Sequence, residues 1–154
     1  VDEVSREVQA EGWHFNTENN VELTPDSQGI ITIPEDIIEL DVADKTIDVV
    51  QRGLSLFDRR TNTTTFKDKI TVSLIRLLDW DSLPEVARRY ITLRASRVFQ
   101  GRVVGSRELE ALIARDEFQA RARLMNADGN TSDRTIFDSP DVASRIGINR
   151  NYSI

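Results

Sequence analysis

A change in hydrophobic periodicity near residue 82 is the feature that most constrains the fold. Before it, apolar residues occur in short runs that are typical of β-strands; after it, they recur every three or four residues, as in amphipathic helices. The change coincides with Ser82-Leu83-Pro84-Glu85, which combines a capping-box pattern with proline in the first helical turn. The sequence therefore predicts a β region followed by a helical region, and its 154 residues are about the length of one domain.

The β region, residues 13–80, is predicted to form a small antiparallel sheet. Its strand-like runs are 21–23, 30–33, 46–50, 54–57 and 70–78. Gly53 lies between two of these runs and favours a hairpin there. Residues 1–12 place Val4 and Val8 four positions apart, which predicts the last turns of a helix that begins upstream of Val1 and stops near Gly12.

The helical region, residues 81–126, is predicted to form a long α-hairpin. Its first helix runs to about Gln100, and its second helix is capped by Ser106 and runs to about Met125. Residues 127–154 lack sustained periodicity and are predicted to form an extended C-terminal arm. The arm contains apolar residues that need a surface on which to dock: Ile136, Phe137, Ile146 and Ile148. The expected fold class is α+β, a helical bundle with a small antiparallel β subdomain.

Each predicted helix has an apolar face that includes charged residues. The first helix groups Leu83, Val86, Ala87, Tyr90, Ile91, Leu93, Ala95 and Val98. The second groups Leu109, Leu112, Ile113, Ala120 and Leu124. Arg94 and Arg97 fall inside the first face and Asp116 inside the second. The arginines can extend their charged heads to the rim of the core, form a structural ion pair with Asp116 if the hairpin turns near Val103, or contact a neighbouring chain.

The charge of the chain is divided between its two regions. Residues 1–84 contain 17 acidic and 8 basic residues, whereas residues 85–126 contain 9 arginines and 5 acidic residues. A mainly acidic chain is a poor candidate for nonspecific nucleic-acid binding, which requires a basic footprint. A DNA-binding module that uses the hairpin arginines is retained as an alternative.

The sequence contains little that indicates catalysis. The chain has no cysteine and one histidine, His14, which excludes thiol catalysis, zinc-thiolate sites and metal sites with two histidines; His14 is expected to be a strand residue. Asp79, Asp81 and Glu85 could serve glycoside hydrolysis, although acids at a helix start are favoured by the helix dipole alone. No nucleotide-binding loop and no apolar run long enough for a membrane span is present. We therefore expect neither an enzyme nor a cofactor, metal or membrane association.

Three segments, in order, resemble the tail tubular protein A family of short-tailed bacteriophages. The first is Gly12-Trp13-His14-Phe15-Asn16 after a helix end, and the second is Ile70-Thr71-Val72 leading to 76–81 and Leu83-Pro84-Glu85. The third covers the hairpin, with Arg94-Ala95-Ser96-Arg97, Phe99, Gly105, Glu108, Glu110, Asp116-Glu117 and Ala120-Arg121. The resemblance covers roughly residues 6–130, with a looser match at 136–142.

The resemblance implies a structural adaptor, also called a gatekeeper or head–tail connector, with no enzymatic role. It implies a ring of twelve copies between the portal protein and the tail nozzle, in the short tail at the portal vertex of the virion, with the protein made in the host cytoplasm. The genome would pass through the ring during packaging, retention and ejection without sequence-specific binding. Family members have further helical sequence upstream of the Gly-Trp element, and residues 18–65 do not align.

The adaptor interpretation leads to one hypothesis about contact residues. A ring closes through contacts in which one face of a subunit meets a different face of the next. We expect Arg88, Arg89, Arg102 and Arg107 to meet acidic residues of the adjacent subunit or the portal. The competing hypothesis is a carbohydrate-cleaving tail component that uses Asp79, Asp81 or Glu85.

Overall fold

The computed structural model describes residues 1–44 and 46–138, which belong to two compact units. The first, here called the β unit, is Val1–Leu83, and the second, the hairpin unit, begins at Pro84. Helices and small antiparallel sheets are both present, so the predicted α+β class is confirmed. None of the helices in the described part of the chain is long and apolar enough to cross a membrane.

The β unit contains one helix and two small antiparallel sheets. Its elements are α1 (Asp2–Gln9), β1 (Thr17–Leu23), β2 (Ile37–Val42), β3 (Val49–Arg52), β4 (Ser55–Asp58) and β5 (Ile70–Arg76). In the first sheet β5 is central, with β1 on one side and β2 on the other. In the second sheet β3 pairs with β4 through a turn at Gly53, whose φ of 61° places it in the left-handed region that glycine adopts without strain. The predicted hairpin at Gly53 is therefore confirmed.

The core of the β unit is built around one face of β5. Its alternating pattern places Ile70, Val72 and Leu74 inside, as expected for a strand with a single buried face. These residues pack in one cluster with Ile31, Ile33, Ile37 and Leu56. Burial of these aliphatic side chains, at about 25 cal/mol per Å² of apolar surface, is the main stabilising contribution in this unit.

Two strand predictions differ from the structure. Residues 30–33 form only isolated bridges, although Ile31 and Ile33 are buried and bond through their backbones to Leu56 and Leu54. The segment Ile37–Val42 was not predicted and forms β2. Both outcomes depend on partners distant in the chain, which leave no local signal: residues 30–33 bridge to Ser55 and Thr65, and β2 pairs with β5, 30 or more residues away.

Polar side chains attach the end of α1 to the end of β5. Gln9 is fully buried; its amide donates a hydrogen bond to the Leu78 carbonyl (3.1 Å) and its oxygen accepts one from the Leu78 amide (2.7 Å). The amide of the buried Asn16 donates to the carbonyls of Gln9 and Arg76, both at 2.9 Å. These bonds satisfy backbone groups at the helix end and at the strand end, which would otherwise be costly to bury.

Arg76 pairs with two acids of the sheet's outer strands and their connections. Its guanidinium donates to Glu18 at 2.6 Å and to Asp36 at 2.7 Å. These hydrogen bonds raise the pKa of Arg76, with the bond to Glu18 contributing most. One side chain on the central strand therefore joins both flanks of the sheet.

The hairpin unit consists of two helices joined by a wide turn. They are α2 (Glu85–Phe99) and α3 (Arg107–Asp138), and a π-helical turn, Gln100–Val104, extends α2 before the chain reverses. The reversal occurs at Gly105, whose φ of 67° is left-handed. The predicted start of α2 is confirmed, but Ser82 does not cap it: Ser82 ends a short 3₁₀ turn, Trp80–Ser82, and Pro84 occupies the capping position.

Helix α3 is longer than predicted. It continues through 127–130 to Asp138, so the predicted helix end near Met125, and with it the start of the extended arm at residue 127, is wrong. An isolated glycine costs a helix only about 1 kcal/mol, and Gly129 does not adopt the left-handed conformation that terminates helices. Ile136 and Phe137 lie within α3, whereas Ile146 and Ile148 lie outside the described residues.

Candidate interaction surface on the helical hairpin

Side-chain contacts define how the two helices of the hairpin align. The guanidinium of Arg121 donates a 2.9 Å hydrogen bond to the hydroxyl of the fully buried Tyr90 and lies 5.6 Å from the centre of its ring. Further along, Arg94 contacts Glu117. Residues later in α2 thus meet residues earlier in α3, so the helices are antiparallel. In both pairs the midpoint in the sequence falls between Gly105 and Ser106, where the chain reverses.

Glu117 is the charged centre of this hairpin. Its carboxylate, only 9% exposed, accepts hydrogen bonds from Arg94 at 3.1 Å and from Arg97 at 3.2 Å. Arg97 also lies 3.9 Å from the carboxylate of Glu110. A buried carboxylate requires such compensation, and two guanidinium groups provide it through charge-assisted bonds.

The predicted acid of this ion pair was Asp116, and that prediction is wrong. Asp116 is exposed, and its neighbour Glu117 faces α2 instead. The prediction assumed a reversal near Val103. The π-helical turn carries α2 further and the chain reverses at Gly105, so the assumed alignment does not hold. Glu117 lies on the side of α3 that also contains the buried Ala120 and Leu124.

The end of the hairpin that carries the turn exposes large apolar side chains; residues 99–112 are here called the hairpin tip. Phe99 is 61% exposed and Val103 is 65% exposed. Leu109 and Leu112, predicted on the buried face of the second helix, are 47% and 62% exposed. Four large apolar residues within fourteen positions form the kind of surface that commonly marks a protein–protein contact.

Helix α3 exposes a further apolar pair away from the hairpin tip. Phe118 is 75% exposed and Met125 is 55% exposed. Seven residues separate them, which places them on the same side of the helix. Ala120 and Leu124, by contrast, are buried on the side of α3 that includes Glu117. The helix therefore has an apolar side within the hairpin and a second apolar strip on its outer surface.

The four arginines predicted to form an interface occupy two separate places. Arg102 and Arg107 are exposed at the hairpin tip, whereas Arg88 and Arg89 lie at the opposite end, in the first turns of α2. Thirteen residues of helix separate Arg89 from Arg102, about 20 Å at the usual helical rise. Arg88 is half-buried and pairs with Glu85 at 2.9 Å.

The candidate catalytic residues are not arranged around a recognisable reaction centre. Asp79, Asp81 and Glu85 are all exposed, and the carboxylate of Glu85 is engaged with Arg88. His14 is exposed in the turn before β1 and is not the strand residue that was predicted. Across residues 1–44 and 46–138, no group of three or more histidine and acidic side chains is placed to hold a metal ion.

One comparison with known proteins identifies a family. A family model described as "Tube: Tail tubular protein" matches residues 1–134, most of the chain. No curated protein matches the chain significantly.

Proposed function

The chain belongs to the tail tubular protein family, a family of structural virion components of the phage tail, and from this premise we propose that it is a head–tail adaptor of the A type. In this role, copies of the chain form a ring, expected to be twelve-fold, at the portal vertex of a short-tailed bacteriophage. The ring lies between the portal protein and the tail nozzle and encloses a channel through which the genome passes.

The observation that carries the proposal is the hairpin tip. Phe99, Val103, Leu109 and Leu112 are exposed there beside charged arginines, an arrangement that is costly unless another surface covers it. The β unit carries 17 acidic against 8 basic residues, so the chain also provides a surface of opposite charge. Rings close through contacts between two unlike faces of identical subunits, and this chain has two unlike faces.

The charge of the chain also suits a channel for DNA. With a net charge of −6 and most of its acids in the β unit, the chain repels a phosphate backbone and does not retain it. A channel must let DNA slide in either direction, and a strongly basic lining would slow it. The proposal therefore includes no sequence-specific contact with the genome.

Co-sedimentation with preassembled rings of the cognate portal protein tests the proposal. We expect binding to saturate at about one chain per portal subunit, because a ring of subunits matches its template one to one. The number of bound chains is counted from the band intensities of the pelleted complex. If the full-length protein does not bind to portal rings at saturating concentration, the adaptor proposal is wrong.

Charge reversal shows whether the arginines at the start of α2 take part. Replacing Arg88 and Arg89 by glutamate is expected to abolish assembly, since acidic partners would then be repelled. The control reverses Arg115 and Arg123, two exposed arginines of α3 that lie outside the proposed contact, and circular dichroism checks that each variant keeps its helices. Normal assembly of the Arg88 and Arg89 variant would exclude these residues from the interface.

A further inference from the structure

A groove opens between α2 and α3 next to the hairpin tip. Its volume is about 370 Å³, within the range of pockets that accept a bulky side chain or a small ligand. The lining residues are Arg94, Arg97, Val98, Gly101, Arg102, Glu110 and Glu117. Three arginines and two glutamates give the lining a net positive charge, and Arg102 is exposed at its edge.

The surface around this groove defines what would fit it. Phe99 and Val103 are exposed and follow the groove residues Val98 and Arg102 directly in the chain, and Arg107 adds another exposed positive charge. Stable interfaces have an apolar or aromatic centre and a polar rim of complementary charge. The matching partner therefore presents an exposed apolar side chain flanked by acids.

The β unit contains such a feature in its 3₁₀ turn. Trp80 is 40% exposed, and Asp79 and Asp81 on either side of it are exposed as well. Tryptophan is the residue type most often found at energetic centres of interfaces, and arginine guanidinium groups stack on its ring. Leu54, another exposed large apolar residue of this unit, follows Arg52-Gly53 and has no acidic neighbour in the chain.

We propose that the Asp79-Trp80-Asp81 turn of one copy docks on the hairpin groove of the next copy. The exposed part of the Trp80 indole covers the groove, and the two carboxylates face Arg102 and Arg107. This inference rests on the proposed ring, and it gives the contact between subunits a definite location. It also gives a role to two of the acids that the sequence marked as candidates for catalysis.

Cross-linking between two singly substituted chains tests the contact directly, because the natural sequence has no cysteine. Ser82→Cys places a thiol at the exposed end of the 3₁₀ turn. Gly101→Cys places one on the groove, where a new Cβ has no atom within 4 Å. The two variants are mixed in equal amounts and treated with a short bismaleimide. Ser27→Cys, another exposed serine of the β unit, replaces Ser82→Cys in the matched control.

We expect mixed dimers from Ser82→Cys and Gly101→Cys at about ten times the yield of the control mixture. Adding Asp79→Asn and Asp81→Asn to the Ser82→Cys chain is expected to lower the yield about tenfold, and Trp80→Ala to lower it at least as much. Folding of each variant is checked by circular dichroism. The carboxamide variant retains the shape of the turn, so it serves as the test if Trp80→Ala unfolds.

The reaction is run in solution and again on portal rings, so that assembly that needs a template is included. Equal yields from the test and control mixtures in both settings overturn the inference. Wild-type binding to portal rings is measured separately: its failure rejects the adaptor proposal, whereas binding without the mixed dimer rejects only this contact.

Discussion

The side chain of Gln9 pairs with the backbone of Leu78 as a neighbouring strand would, accepting from its amide at 2.7 Å and donating to its carbonyl at 3.1 Å. The two residues are 69 positions apart in the chain, and Gln9 is fully buried. One amide side chain thus fixes the end of α1 to the chain as it leaves β5. Both tryptophans, Trp13 and Trp80, lie in the β unit, so their fluorescence reports the stability of this unit.

Replacing Gln9 by alanine is expected to destabilise the β unit by about 1–3 kcal/mol, because the substitution leaves two backbone groups of Leu78 without their partner. Urea unfolding followed by tryptophan fluorescence measures the change. Gln28→Ala, at an exposed position, is the control and is expected to change stability by less than about 0.5 kcal/mol. A loss at Gln9 no larger than that at Gln28 would show that water replaces the side chain without cost.

Glu117→Ala is expected to destabilise the hairpin by about 1–3 kcal/mol, because it leaves Arg94 and Arg97 without their shared carboxylate. The expected loss is smaller than that for a fully buried pair, since Arg97 is 43% exposed and solvent screens its charge. Circular dichroism at 222 nm follows the helices during urea unfolding. Asp116→Asn provides a comparison one residue away and is expected to have little effect. A larger loss of stability for Asp116→Asn than for Glu117→Ala would contradict the observed contacts.

Gly12→Ala is expected to lower the free energy of unfolding by about 1–3 kcal/mol, for two reasons that act together. Gly12 has a φ of 73°, and a Cβ there would lie 2.8 Å from the Cδ1 of Ile75. Gly101→Ala is the matched control, because its φ is not left-handed and its Cβ would meet nothing within 4 Å. The midpoints of thermal unfolding compare the two variants. Equal midpoints would show that the turn after α1 adapts to a side chain.

The loop after β4 is expected to make stability depend on pH in acid. The Thr61 hydroxyl and the Arg60 amide donate hydrogen bonds to Asp58, at 2.7 and 2.8 Å, and hold its pKa below the ordinary value of 3.8. Because this pKa is lower in the folded chain, the ionised carboxylate stabilises the fold above about pH 4. That contribution is lost as the pH falls through the lower, folded pKa.

Thr61→Val removes the hydrogen bond that the Thr61 hydroxyl donates, so the pKa of Asp58 is expected to rise towards 3.8. An NMR titration that follows the Asp58 carboxyl carbon measures this pKa. The stability difference between Thr61→Val and the natural chain should shrink as the pH is lowered below both pKa values. Thr24→Val, an exposed threonine elsewhere, is the control; an unchanged Asp58 titration in Thr61→Val would rule out the hydroxyl as the cause.

Local signals in the sequence were sufficient for much of the fold. The start of α2 was predicted from Ser82-Leu83-Pro84-Glu85, although Ser82 does not cap it, and the β3–β4 hairpin was predicted from Gly53, because each depends on residues next to one another. The extent of α3 and the existence of β2 were missed. Helix α3 continues through Gly129, and β2 depends on a partner strand distant in the chain. The prediction for α3 treats a glycine as a helix end, and the formation of β2 depends on residues outside its own segment.

The candidate surface was predictable only in part, for a related reason. A helical wheel grouped Leu109 and Leu112 with buried residues, although both are exposed. Periodicity alone does not distinguish an apolar side chain that packs in the core from one on an exposed contact surface. The choice of Asp116 rested on a reversal near Val103, whereas the chain reverses at Gly105 and Glu117 is the buried acid. Helix propensity and periodicity do not predict a π-helical turn, which is rare and occurs mostly as a single turn in a longer helix.

The central position of β5 determines the order in which the β unit can be assembled. Strands β1 and β2 pair with β5 and not with each other, so neither has a partner until residue 76 has left the ribosome. The side-chain contacts between the helices of the hairpin unit span 13 residues, for Arg97 with Glu110, to 31 residues, for Tyr90 with Arg121. Because short loops close quickly, we expect the hairpin to fold soon after it leaves the ribosome. The nascent chain therefore exposes two unpaired strand edges during most of the synthesis of its first half, which makes that interval the one most open to aggregation.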